Sequence, residues 1–165
     1  MDSHTIYVKA QCSYKTKKGR CKKITVLSHP YCAQHTRKAF GLYIAPSKIK
    51  GAGLGLYTTK PIAKGEVIVE YKGEKLTTKQ YNERYDKDDY GSYGMEVNSR
   101  LVIDARKTSA GLARYVCDHT GSGKKPNTEY QGEKHRVDIV AIKNIQPGEE
   151  LIIDYGKEIR KAMGF

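Results

Sequence analysis

Three cysteines and a histidine crowd the first quarter of the chain at the spacing Cys12-x8-Cys21-x10-Cys32-x2-His35. Three thiolates and one imidazole are enough for a closed tetrahedral zinc site. His29 is the alternative fourth donor. The tight Cys32-x2-His35 pair fits on one turn of chain, and Gly19 lets the loop before Cys21 bend. The 40 residues around these donors hold too few apolar side chains to fold by burial, so metal binding must supply the missing free energy. The fourth cysteine, Cys117, stands alone. Clustered donors argue for a metal rather than a disulfide framework.

Further along, Lys50-Gly51-Ala52-Gly53-Leu54-Gly55-Leu56 sets three glycines at alternate positions. No Gly-Lys-Ser/Thr follows, and the next run reads as strand rather than helix. Neither a phosphate loop nor a dinucleotide fingerprint fits. Glycines so spaced let the backbone lie close against a ligand. Tyr93-Gly94-Met95, Arg114-Tyr115-Val116-Cys117-Asp118-His119 and Asp154-Tyr155-Gly156 place tyrosines, a thiol and carboxylates beside short apolar runs. Taken singly, each of these is packing, because a strand tyrosine usually buries its ring and sends its hydroxyl outward.

The elements that must position these residues begin at Gly41. Before it, residues 1–40 show no sustained helix or strand period. After it come β-branched and aromatic runs at 42–45, 54–59, 67–72, 93–97, 101–105, 128–130, 136–142 and 151–155, which read as strands. Two similar turns, residues 62–66 and 145–149, each precede a strand. Pro147-Gly148 fits the centre of a type II turn. One helix is expected at about 77–86 with Thr78 as N-cap, and a short one after Gly156 with Ile159, Met163 and Phe165 as its apolar residues. The reading is a mostly β chain in three parts: a basic zinc module at 1–40, a β domain at 41–157 and a short tail at 158–165.

The net charge is +12. Residues 1–40 carry nine Lys/Arg against Asp2 alone, a net +8. That asymmetry points to a polyanionic partner such as DNA or a nucleosome, contacted through residues 9–38, or else to a solvated basic face or an import signal. No run approaches the ~20 apolar residues of a membrane span. Met1-Asp2-Ser3-His4 lacks a basic-then-apolar leader. A soluble, intracellular chain with no membrane contact is expected.

Taken together and in order, the motifs from about Leu42 to Gly156 resemble the SET-domain family of protein lysine methyltransferases. The match includes Lys60-Pro61-Ile62-Ala63-Lys64-Gly65-Glu66, Glu70-Tyr71-x-Gly73-Glu74, Ile103-Asp104-Ala105, Arg114-Tyr115 and Glu149-Glu150-Leu151-x-x-Asp154-Tyr155-Gly156. The resemblance implies a β-clip of small curled sheets. In that fold a C-terminal pseudoknot forms where 114–118 meets 151–155. It implies S-adenosylmethionine held by Lys50, Gly51, Gly53, Leu54, Tyr93, Arg114 and the backbone of Cys117-Asp118, with Arg114 also bracing the pseudoknot. Tyr155 becomes the catalytic tyrosine, with Tyr93 beside it on the lysine channel together with Met95 and Ile153. A histone tail or another lysine-bearing protein is the implied substrate, and the nucleus, or a host nucleus, the implied location. The N-terminal donors resemble small three-cysteine, one-histidine zinc modules of chromatin proteins.

The chemistry asks for these residue types. Methyl transfer from a sulfonium needs a neutral amine, and a narrow apolar channel disfavours the ammonium. A tyrosine offers an apolar ring with a hydroxyl that orients the amine. Alignment in a dry tunnel supplies most of the rate. Three departures stand out. Cys117 and Asp118 replace the family's Asn and His, with Thr120–Lys125 inserted before Pro126-Asn127. Ile153 stands where an aromatic residue helps set the methyl count. No cysteine cluster follows the domain, so the 157–165 helix, with Phe165, must close the channel. An acidic groove would have to be local, for instance around Asp86, Asp88 and Asp89. The altered Asn-His pair supports a competing reading, a catalytically weak SET scaffold that binds nucleic acid or chromatin through the zinc segment.

Overall fold

The structure, a computed structural model, describes residues 4–85 and 91–164. Phe165 and the Asp86, Asp88 and Asp89 cluster lie outside the described residues.

The N-terminal segment is held by very short elements. Strands β1 (Ala10–Gln11), β2 (Lys15–Thr16), β3 (Gly19–Arg20) and β4 (Ile24–Thr25) form two antiparallel pairs, β1 with β4 and β2 with β3. Helix α1 (Ala33–Phe40) follows. Neither these strands nor this helix is expected from hydrophobic period. The reason is that α1 buries His35 and Thr36, polar residues that carry no apolar signal.

From residue 42 onward the architecture is a set of small sheets. Strands β5 (Leu42–Pro46) and β6 (Leu54–Thr58) pair in an antiparallel ladder. Strand β7 (Val67–Glu70) joins the sheet order β12-β13-β7, completed by β12 (Thr128–Glu133) and β13 (Arg136–Ala141). Strands β8 (Glu74–Thr77), β9 (Gly94–Asn98) and β10 (Leu101–Asp104) pair in the order β8-β10-β9. The first of these was not foreseen, since Glu74-Lys75-Leu76-Thr77 is largely exposed and gains its order from β10.

Helix α2 (Thr78–Arg84) starts one residue from its expected place. Its N-cap is Thr77, not Thr78. The Thr77 hydroxyl accepts from the Gln80 N–H at 3.1 Å, and the Gln80 side chain accepts from the Thr77 N–H at 2.9 Å, a reciprocal capping box. The two look-alike turns are structurally paired. Ile62 and Ile145 exchange backbone hydrogen bonds at 2.9 and 2.8 Å, and in each turn a glutamate, Glu66 or Glu149, accepts from the N–H three residues earlier.

Strand β11 (Cys117–Asp118) lies parallel to β14 (Ile152–Ile153), with Cys117 opposite Ile152 and Asp118 opposite Ile153. The 151–153 segment is gripped on several sides. Leu151 N–H donates to Leu56 O at 2.8 Å, His119 N–H to Ile153 O at 2.8 Å and Asn127 N–H to Ile152 O at 3.2 Å. This is the threaded pseudoknot expected where 114–118 meets 151–155. Its inner face is the molecule's main core: Leu56, Ile103, Ile139, Ile145, Leu151 and Ile153 are all at most 2% exposed. Helix α3 (Lys157–Met163) ends the described chain. Among the described residues, no helix is long and apolar enough to cross a membrane.

Candidate active site and metal centre

The four N-terminal donors converge. The Sγ atoms of Cys12, Cys21 and Cys32 and a ring nitrogen of His35 all lie within 4.8 Å of one another. A zinc–sulfur bond of about 2.3 Å sets tetrahedral donor pairs about 3.8 Å apart, so the cluster fits that ion's size and ligand set. His35 Nδ1 lies 3.6 Å from Cys12 Sγ and 3.3 Å from Cys32 Sγ. Burial acts to raise the Cys12 thiol, but hydrogen bonds from the backbone at Cys32 and Tyr14 and from His35 outweigh it and bring it down to about 7. The Cys32 N–H donates to Cys12 Sγ at 3.1 Å. The Tyr14 ring stacks on His35 at 4.1 Å and holds the imidazole's plane. His29, the alternative donor, lies outside the cluster, where its Nε2–H donates to Val8 O at 2.7 Å. All four cysteines are free of disulfides.

The larger site is a cavity of about 540 Å³, within the usual range for small-molecule sites. Its walls gather all the residues expected at the cofactor, Lys50, Gly51, Gly53, Leu54, Tyr93, Arg114, Cys117 and Asp118, together with Tyr155. Gly51 and Gly53 have φ of +80° and +77°, a left-handed backbone that only glycine adopts easily, with open space where a side chain would stand. Gly55 serves a different end. A Cβ there would strike the Glu150 carboxylate. Glu150 accepts from Ser47 Oγ at 2.5 Å, Lys48 N–H at 3.0 Å and the Tyr57 hydroxyl at 3.3 Å, tying the glycine bend to the start of β14. Burial, with Glu150 adding to it, pushes the Tyr57 phenol up to about 12.

Cys117 and Asp118, the two departures from the family signature, both make structural contacts. The Cys117 thiol donates to Leu54 O at 3.3 Å, joining the pseudoknot to the glycine bend. Burial pushes this thiol up to about 11, so it is a neutral, inert group. The Asp118 carboxylate accepts from Thr120 N–H at 2.9 Å and Tyr155 N–H at 2.7 Å and pairs with Arg160 at 3.3 Å. Burial alone would raise Asp118, but these donors hold it below the usual carboxylate range. Asn127 completes the brace. It accepts from Ile152 N–H at 2.9 Å and donates to Glu150 O at 2.8 Å.

Tyr155 is half-buried and its hydroxyl donates to Val116 O at 2.9 Å. Burial holds this phenol well above its ordinary value. Arg114, expected to brace the pseudoknot, instead ties the end of β10 to the cavity. Its Nε donates to Ala105 O at 2.9 Å, and its guanidinium lies 4.1 Å over the Tyr93 ring and 4.9 Å over Tyr115. The residue is 8% exposed and, among the described residues, no carboxylate pairs with it. Tyr71 fixes Tyr93 from behind through a 2.7 Å hydrogen bond to Tyr93 O.

Met95 and Ile153, expected on the lysine channel, do not line this cavity. Ile153 is 1% exposed in the core, and Met95 packs half-buried against it. From the tail, Met163 reaches the cavity. Sequence reading missed Thr5, Tyr7 and Leu27 on the wall. No local signal marks them, because they arrive from a segment far away in sequence.

The SET domain family profile matches residues 53–156. N-lysine methyltransferase KMT5A-A of Danio rerio is 32% identical over 124 residues, covering 70% of this chain and 36% of the relative. Histone-lysine N-methyltransferase 2D of Homo sapiens is 30% identical over 131 residues, covering 78% of this chain and 2% of the relative. The chain therefore spans about a third or less of these relatives. Among solved structures, an autoinhibited ctPRC2 complex bound to S-adenosylmethionine superposes with a TM-score of 0.59 at 25% identity, covering 76% of this chain and 17% of that one. An active polycomb repressive complex 2 in the stimulated state gives 0.60 at 26%, covering 70% and 15%. With its pseudoknot, its glycine bend and a match over most of its length, this chain belongs to the SET-domain family.

Proposed function

We propose that the chain is an S-adenosylmethionine-dependent protein lysine N-methyltransferase acting on a histone tail, with zinc in its N-terminal cluster. The carrying observation is the single cavity that collects the glycine bend, Tyr93, Arg114, the Cys117-Asp118 strand and Tyr155. A buried guanidinium that, among the described residues, pairs with no carboxylate suits a ligand that brings its own carboxylate, as this cofactor does. Bound there, the cofactor would supply a methyl group on a positive sulfonium.

The rest falls to the chain's own residues. Apolar tyrosine rings along the path of an incoming lysine would disfavour an ammonium, so that the amine arrives neutral. Tyr155 keeps its proton at neutral pH, since burial raises it. It therefore orients the amine and does not act as the base. Gly51 and Gly53 leave room for a ligand against the backbone, and Leu54 O is pinned by Cys117. Asp118 fixes the Tyr155 backbone and so aims its ring.

The basic face of 9–38 is proposed to contact DNA or a nucleosome in the nucleus. Lys15, Lys17, Lys18 and Lys22 are exposed on or beside the β2–β3 hairpin. Arg20 serves the metal loop instead, donating to Cys12 O at 3.0 Å and Gln11 O at 2.8 Å. Such contacts would make the logarithm of affinity fall linearly with the logarithm of salt concentration.

The test is mass spectrometry of core histones incubated with metal-loaded protein and cofactor. Methylated lysine supports the reading, and unmodified histones remove the histone assignment. Tyr155→Phe should cut turnover roughly 100-fold or more while cofactor affinity stays unchanged. Normal turnover in that variant would reassign the catalytic tyrosine.

A further inference from the structure

Thr5, Tyr7 and Leu27 line the cavity but lie outside the matched domain. The metal module delivers them. Residues 5–8 run as a strap beside the end of β10. Ile6 N–H donates to Arg106 O at 2.9 Å, Ile6 O accepts from Thr108 N–H at 2.9 Å, and Val8 N–H donates to Thr108 Oγ1 at 2.9 Å. Strand alternation puts Thr5 and Tyr7 on the same side, facing the cavity. Thr5 Oγ1 donates to the Tyr93 hydroxyl at 3.1 Å and accepts from Arg114 Nη2 at 2.9 Å, so the strap sets the direction of two cavity groups. Tyr7 is 65% exposed at the rim, a large ring that gains burial when a ligand fills the site.

Leu27 arrives by a second route. Its carbonyl accepts from the Tyr115 hydroxyl at 3.0 Å. It belongs to the loop between metal donors Cys21 and Cys32. That loop is stitched to helix α1 by Thr36 Oγ1, which donates to Ser28 O at 3.2 Å and Tyr31 O at 3.3 Å. The loop is stitched to the strap by His29, bonded to Val8 O at 2.7 Å. Peptide and hydrogen bonds therefore connect the donors Cys32 and His35 to the cavity wall without a break.

We infer that the N-terminal module completes the cofactor cavity: Thr5, Tyr7 and Leu27 form its outer wall against bound S-adenosylmethionine and tie cofactor affinity to metal occupancy. This rests on the cofactor reading above. Losing the metal loosens the wall, because no aliphatic side chain of residues 4–40 is fully buried and only the strap's hydrogen bonds to residues 106–108 and the packing of Leu27 on the core are left to hold it. Coupling between two ligands is reciprocal, so the cofactor must tighten metal binding by the same factor.

Calorimetric titration of the metal-loaded full chain with S-adenosylmethionine tests this. Tyr7→Ala and Leu27→Ala should each bind roughly 10-fold more weakly than wild type, with zinc content and circular dichroism unchanged. Saturating cofactor should also slow zinc transfer to a competing chelator. If wild type binds and both variants match it within about twofold, while zinc transfer ignores the cofactor, the inference falls and the cofactor reading stands. If wild type shows no affinity, the cofactor reading falls and takes the inference with it. Should Leu27→Ala lose its metal, the exposed Tyr7 position decides alone.

Discussion

In residues 4–40 the buried side chains are Cys12, Thr25, Ser28, His29, Cys32, His35 and Thr36. In the SET body the side chains at 2% exposure or less include Leu42, Leu56, Ile103, Ile139, Ile145, Leu151 and Ile153. One region hides donors and hydroxyls, the other hides methyl groups. The first is organised by atoms that can grip an ion, and its strands are two residues long because nothing apolar extends them. The second follows strand pairing and burial, whose strength scales with apolar area. Their contrast shows that a chain can join two stabilising mechanisms at one surface, and here that surface borders the cavity.

The sharpest way to break the comparison is to remove the metal. A strong chelator should withdraw on the order of 10 kcal/mol from the N-terminal segment. Amide hydrogen exchange should then become fast across residues 4–40 while β10, β13 and the pseudoknot strands stay protected. Equal loss of protection in both regions would show that the two fold as one unit.

A core truncation presses from the other side. Leu151 is wholly buried and its N–H holds Leu56 O at 2.8 Å. Leu151→Ala should cost about 2–5 kcal/mol in urea unfolding of the SET body. The zinc content of the folded fraction should not change. A variant with native stability would mean that the pseudoknot's interior is looser than its packing indicates.

How much of this was legible depended on which kind of signal each region carries. Strand runs at 54–59, 101–105 and 136–142 gave β6, β10 and β13 nearly to the residue, because β-branched residues on a buried sheet face leave a pattern. The convergence of Cys12, Cys21, Cys32 and His35 was legible from type and spacing alone. Helix α1 was not, since its buried face is His35 and Thr36. Strand β8 was not, because Lys75 and Thr77 face outward and the strand exists through Leu101↔Thr77 and Val102↔Leu76 pairing. The capping box at Thr77 and Gln80 was there to be read, with Thr78 as the decoy one residue on. The cavity wall supplied by Thr5, Tyr7 and Leu27 has no local signature, since it depends on chain segments about 90–100 residues apart in sequence meeting at Tyr93, Arg106 and Thr108.

The smallest effect tests the junction through Asp118. This side chain is 2% exposed, yet three donors satisfy it: Thr120 N–H, Tyr155 N–H and Arg160. Asp118→Asn removes the charge and leaves one acceptor oxygen for two backbone donors, so it should cost about 1–3 kcal/mol. The pH dependence has a definite sign. The folded carboxyl lies below its ordinary value, so its contribution is fully present above the unfolded value of about 3.9 and is lost as pH falls through the folded one. The difference in urea midpoint between wild type and Asp118→Asn should therefore be constant from pH 7 to about 5 and shrink steadily below about 4. Metal loss in acid acts on both proteins alike and cancels in that difference. A gap that stays unchanged at low pH would mean that Asp118 acts through shape rather than charge. The replacement of the family's histidine at this position would then be a matter of packing alone.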